Sequence, residues 1–189
     1  YHALEAMQCM IERRKGGETG VKQVQMIEGD DVWKALNEGR FSRRLLEAAL
    51  SRSDTPCGKT DEDGRTQDLL GNGELPVLVE KPAAYFIEHN DGLKTTLLML
   101  NGAIKDFCFA CEADGKIVST QFFLSPTPNV TYSACLVAKI EEMIETGKAP
   151  FPAKRTLIVS GALESCLTSK IEDHKKLETP HLSVSYEAP

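Results

Sequence analysis

The patterning of this 189-residue sequence predicts an α+β fold, an open, largely antiparallel sheet with helices packed on one face. Three observations carry that reading. Helix-period segments occupy both ends of the chain, alternating apolar runs fill the middle, and turn-forming residues divide those runs into hairpin-length pieces. Hydrophobic residues make up 41% and charged residues 26%, the usage of an ordinary folded core, and no internal repeat is visible. At this length about 70% of the unfolded surface can be buried, so a single domain over 1–189 needs no staples.

Residues 2–14 place Leu4, Met7, Met10 and Ile11 at helical spacing. Arg13, Arg14 and Lys15 follow where the negative end of the helix dipole falls, and Gly16 and Gly17 stop the helix. Residues 21–27 alternate as a strand and are ended by Gly29. Asp30 is placed to cap a short helix with Trp33 and Leu36, and Ser42 to cap another with Leu45, Leu46, Ala49 and Leu50. Residues 52–82 begin in Ser, Asp, Gly and Thr, lose apolar period and read as a long surface loop or insertion.

Four strands follow, at 84–89, 93–100, 104–113 and 117–124. The turns Asn90-Asp91-Gly92, Asn101-Gly102 and Asp114-Gly115 link them into an antiparallel meander. Leu136, Ile140, Met143 and Ile144 then mark a helix ending at Gly147. Leu157, Ile158, Ala162, Leu163 and Leu167 mark another over about 153–169. Residues 182–186 read as a closing strand.

The net charge is −6 and the longest basic run is Arg13-Arg14-Lys15, which argues against a duplex nucleic-acid or anionic-membrane partner. No apolar run approaches the roughly 20 residues that span a bilayer. Six irregularly spaced cysteines fit a reduced, cytoplasmic chain better than a disulfide scaffold. The chain opens on Tyr1 with helical pattern and no basic-plus-apolar leader, so the simplest expectation is a fragment or processed chain whose upstream part is absent.

Chemistry-bearing patterns are sparse. Cys108-Phe109-Ala110-Cys111 has the spacing of a metal knuckle, but within a strand it sends its two sulfurs to opposite faces, so the reading is core cysteine. Asn129-Val130-Thr131 satisfies a glycosylation triplet and reads as a turn. Gly71-Asn72-Gly73 lacks the third glycine of a dinucleotide cradle, and Ser160-Gly161 lies within helical pattern rather than in a nucleophile elbow. Glu80-Lys81-Pro82 reads as a charged strand entrance with proline blocking an edge, the alternative being a lysine aimed at a sugar hydroxyl. His89, His174 and His181 lack partners and read as surface residues. His2 and Glu5 lie one turn apart on one helix face. They are either a proton-transferring imidazole with an orienting carboxylate or a solvated helix terminus.

The order of several segments resembles the carboxyl-terminal part of the Gfo/Idh/MocA oxidoreductases, in a dehydrogenase-like branch. His2-Ala3-Leu4-Glu5 is similar to that family's H-x-x-D helix start, with Glu5 in place of the acid. Strand 21–27, the Asn90-Asp91-Gly92 hairpin and the meander are similar to its open sheet. The passage from Ile140 to Pro150, with Gly147-Lys148-Ala149-Pro150, resembles its helix and G-[KR]-x-P turn, and 155–169 its closing helix. Gly16-Gly17-Glu18-Thr19-Gly20 and Glu178-Thr179-Pro180-His181-Leu182 add to the likeness, which covers nearly all the chain outside 52–82. The family's E-K-P lysine belongs to the dinucleotide-binding half, so Glu80-Lys81-Pro82 is out of order and is not carried over.

The resemblance implies a substrate-binding and oligomerisation domain of an NAD(P)-dependent oxidoreductase acting on a sugar, polyol or similar hydroxylated small molecule. His2 and Glu5 are then the catalytic candidates. NAD or NADP is held by an upstream dinucleotide-binding domain rather than by this chain, and homo-oligomers form through the free sheet face. The alternatives are a non-catalytic binding or assembly module of the same fold, and lyase or isomerase chemistry on a held cofactor.

Overall fold

In the structure, a computed structural model that describes residues 1–58, 68–126 and 130–188, two separate sheets share one chain. The first contains β1 (Val21–Glu28), β2 (Ala83–His89), β3 (Lys94–Met99) and the two-residue β6 (Leu177–Glu178), ordered β3-β2-β1-β6 and antiparallel throughout. The second is the hairpin β4 (Cys108–Ala113) and β5 (Lys116–Gln121). Helices α1 (His2–Ile11), α2 (Asp30–Asn37), α3 (Arg43–Leu50), α4 (Leu75–Leu78), α5 (Val130–Thr146) and α6 (Ala153–Ile171) complete the α+β fold.

Turn chemistry fixes the two hairpins. Gly92 takes φ +86° after Asn90-Asp91, so β2 and β3 pair from Ala83↔Met99 to Glu88↔Lys94. Asp114 and Gly115 both sit at positive φ, the backbone of a tight hairpin, and join β4 to β5. The predicted four-strand meander breaks between these hairpins. Asn101-Gly102 does not fold β4 back onto β3; β1 takes the other side of β2 instead, and β3 is left as an edge. Gly102, at φ +107°, passes so close to the Leu78 carbonyl that a Cβ there would lie 2.2 Å from it, which directs the chain away from β3.

Strand alternation supplies two cores. Val24 and Met26 of β1, Ile87 of β2 and Leu97 of β3 meet Leu4 of α1 and Ile158, Val159, Ala162 and Cys166 of α6. The last four recur at helical spacing, so α6 lays one continuous stripe on the sheet. Each fully buried aliphatic side chain contributes about 1.5–3 kcal/mol. Side chains of the opposite parity, including Ile27, Ala84 and Leu100, meet Val32, Leu36, Phe41 and Leu46 from α2, α3 and the segment between them. The long helices α1 and α6 therefore pack on one face. The other face is not left free for an oligomer contact as expected, because the second cluster covers it. Leu69, Leu70, Leu75 and Val79 belong to that cluster and anchor 68–82 in the core, while Gly71, Asn72, Gly73, Pro76 and Val77 between them stay exposed.

Several ends differ from the sequence reading. Gly29, not Asp30, caps α2, and Asp30 and Asp31 occupy its first turn. Ser42 does cap α3, its hydroxyl accepting from the Leu45 amide at 3.2 Å. Residues 182–186 form no strand: a 3₁₀ turn at Pro180–Leu182 leads to a lone bridge between Tyr186 and Glu18. Gly20, at φ +92°, lets this tail approach, since a Cβ would lie 2.5 Å from the Leu182 carbonyl oxygen. Helix α5 buries none of its residues, although Leu136, Val137, Ile140 and Ile144 all lie along it. Among the described residues no helix is long and apolar enough to cross a membrane.

Candidate functional site

Where the sheet splits, a cleft of about 640 Å³ opens between β3 and β4. Ala3, Ala6 and Met7 of α1 form one wall, and Leu45, Ala49 and Leu50 of α3 line it as well. These helices belong to the two opposite cores, so the cleft continues the plane of the sheet with α1 on one side and α3 on the other. Its volume falls in the range of small-molecule and peptide pockets, roughly 300–1,000 Å³.

At the end of the cleft where the chain passes from β3 to β4, Asp106 accepts hydrogen bonds from the Ser53 and Thr55 hydroxyls, both at 2.9 Å, and from Gln121 Nε2 at 2.7 Å. Burial works to raise its pKa, but those donors outweigh it and hold the carboxyl below the usual range. The same burial and the nearby Asp106 charge push the Cys108 thiol up to about 12. Cys108 and Cys111 are half-buried on β4 rather than in the core, and among the described residues no group of three or more metal-ligating side chains forms. Asn129 lies outside the described residues.

The catalytic candidates lie elsewhere. His2 and Glu5 share a face of α1, as the spacing predicts, but Glu5 turns toward α6 and pairs with Arg155, not with His2. His2 makes an edge contact with the Tyr1 ring at 6.2 Å, and neither His2 nor Glu5 lines the cleft. Two turns further along, Arg155 Nε meets Glu12 at 2.9 Å and the Tyr186 hydroxyl donates to Glu12 at 2.7 Å. Burial, reinforced by that donation, raises the Tyr186 pKa.

The sequence reading misses this buried network almost entirely. Gln8 donates to Tyr186 at 2.7 Å and to Glu18 at 2.8 Å. Glu18 also receives Arg14, the amides of Thr19 and Gly20, and His89 Nδ1 at 3.0 Å. Burial opposes ionisation of Glu18, yet the His89, Arg14 and Gln8 bonds prevail and hold its pKa well below the carboxylate range. An ionised carboxylate only accepts, so His89 Nδ1 carries the proton. His89 is thus 1% exposed, not a surface residue. Its position at the end of an alternating strand, opposite an acid held in a Gly-rich turn, is the signal that could have found it. His174 is half-buried with Nδ1 2.9 Å from the Met26 carbonyl, and His181 is exposed.

His89 Nε2 has no hydrogen-bond partner among the described residues and borders a cavity of about 10 Å³ lined by Leu4, Met7, Val21 and Ile158. That is the volume of one water probe, too small for a substrate. The network therefore fastens α1, the Gly16–Gly20 turn and the carboxyl-terminal tail to the sheet. Pro82 is buried before β2, an interior strand, and so blocks no edge.

The residues at the strand-to-helix turn Glu28-Gly29-Asp30 do not fit a dinucleotide. A pyrophosphate needs a helix start free of anions, and Asp30 and Asp31 occupy the first turn of α2. An α+β scaffold with a lined internal cleft and a separate buried polar network is the class that fold and site define. The chain matches no protein-family model, no curated protein and no solved structure.

Proposed function

We propose that this chain is a non-catalytic binding module whose working surface is the cleft between β3 and β4. One observation carries the reading: the 640 Å³ cleft is bounded by elements of both cores, yet neither His2 nor Glu5 lines it. Proton transfer needs its acid or base within hydrogen-bond reach of the substrate. The ionisable lining is Arg40, Lys94, Asp106, Glu112 and the thiols of Cys108 and Cys111, with Asp106 taken by its own donors, and backbone, threonine and apolar side chains make most of the rest. The test uses 1-anilinonaphthalene-8-sulfonate fluorescence on the full chain. An enhanced, blue-shifted signal that falls when Ala6 or Ala49 is replaced by Trp supports the cleft. An unchanged signal in both variants would assign the dye to exposed α5 and refute the reading.

A second reading, the substrate domain of an NAD(P)-dependent oxidoreductase, is favoured by one feature. His2 heads α1 with no hydrogen bond among the described residues to hold it, which leaves the imidazole free to approach a substrate hydroxyl. Sugar or polyol oxidation would then draw its cofactor from another domain. Full-length protein with His2→Ala separates the readings: lost turnover with intact folding supports the second, unchanged turnover rejects it.

A further inference from the structure

The cleft touches every residue from Leu93 to Asn101 and every residue from Asp106 to Glu112. A cavity lying against a strand's face would meet alternate residues, because successive side chains point to opposite sides. Unbroken contact means that it runs along the strand edges. Among the described residues β3 pairs with β2 alone and β4 with β5 alone, so each presents its second edge to the cleft. Half the backbone N–H and C=O groups of an edge strand point outward and require partners.

We propose that the slot accepts an extended, uncharged polypeptide segment of a partner protein as an inserted strand, hydrogen-bonded to β3 on one side and β4 on the other. The inference rests on the cleft being the working surface and names the chemistry of its occupant. A small apolar molecule would cover the side chains but leave both rows of backbone groups unpaired. Six residues on each edge correspond to a segment about 20 Å long. Its alternate side chains would meet Ala3 and Ala6 on one side and Leu45 and Leu50 on the other, so small walls face one row and branched walls the other. Charge matches as well. Thr95 to Met99 and Cys108 to Cys111 carry no charged side chain, while Lys94 and Glu112 stand at the opposite end from Asp106, whose carboxylate is already taken by its own donors. Arg40, which also lines the cleft, donates to Gln25 at 2.6 Å and lies over the Phe86 ring, so a charged residue inside the slot would be desolvated without a free partner.

The experiment uses the full chain and two probes, the peptide acetyl-Thr-Val-Thr-Val-Thr-Val-amide and the same peptide N-methylated at alternate residues. Side chains are identical; only the backbone donors differ. Titration calorimetry should show the unmodified peptide binding at least about tenfold tighter, the worth of one or two hydrogen bonds. Amide exchange in Thr95–Met99 and Phe109–Cys111 should slow with it. Equal affinity for both peptides would overturn the inserted strand while leaving the cleft a binding site. The same holds for failure of the unmodified peptide at about 1 mM while dye binding in the cleft persists. Loss of both peptide and dye binding would overturn both readings. Slowed exchange at those amides that rises with protein concentration alone would assign the slot to a second copy, and would also overturn the proposal.

Discussion

Replacing Glu18 by Gln tests the buried network through a single oxygen. The Glu18 side chain is fully buried, and its two oxygens accept from Gln8, Arg14, the Thr19 and Gly20 amides and His89. A carboxamide keeps the shape but turns an NH₂ toward donors, so at least one of those groups loses its acceptor. Breaking a buried pair by removing one partner costs about 3–5 kcal/mol. Arg14 retains Asp91 at 2.7 Å and is 17% exposed, which places the loss at the low end, about 3 kcal/mol. For a chain of this length that lowers Tm by roughly 6–12 °C. The sign with pH follows from the depressed pKa. Ionised Glu18 contributes its full stability above the ordinary value of 4.5, and the contribution fades as pH falls toward the lower folded value. Urea unfolding followed by circular dichroism at neutral pH and in acid should therefore show a large gap between wild type and Glu18→Gln that narrows below pH 4.5. A gap under about 0.5 kcal/mol at neutral pH, or one that does not narrow in acid, would refute the reasoning.

Two further contrasts address packing. Gly20→Ala should cost more than about 2 kcal/mol, because its Cβ would meet the backbone of Leu182 and Val184, whereas Gly16→Ala, with open space around it, should cost only the left-handed strain of about 1–2 kcal/mol. Thermal melts of the two variants decide it; equal losses would mean that the tail is not seated as described. Ile158→Ala should cost about 2–5 kcal/mol, while Ile144→Ala on α5 should stay within about 0.5 kcal/mol, since Ile158 is buried and Ile144 is 74% exposed. A large loss at Ile144 in urea unfolding would show that α5 is covered.

Local chemistry was legible wherever one residue decides one conformation. Ser42 before an apolar period reads as a cap, Asn90-Asp91-Gly92 as a hairpin and the stripe of α6 as a packed helix, because caps, tight turns and helical period are set within a few residues. What failed was decided between distant segments. Alternation announces strands at 93–100 and 104–113, observed as Lys94–Met99 and Cys108–Ala113, but not which edges join, so the chain order suggests a meander that β1 in fact interrupts. His89 reads as a surface residue because its own segment offers it no partner, and only its meeting with Glu18 across 71 positions makes it half of a buried pair. Residues 182–186 alternate as a strand would, yet the tail makes a 3₁₀ turn at Pro180–Leu182 and meets the rest of the chain through a lone bridge to Glu18. The candidate site suffered most. His2 and Glu5 were found at the expected spacing, but Arg155, remote in sequence, claims Glu5, and the cleft forms where pairing was expected.

Amide hydrogen exchange across β3 in the free chain is the most direct measurement of the split sheet. An open edge predicts that Lys94–Met99 exchange in an alternating pattern, slow where an amide bonds to β2 and fast where it faces the cleft. Uniformly slow amides along the whole strand would mean that β4 closes onto β3, and that no such cleft exists.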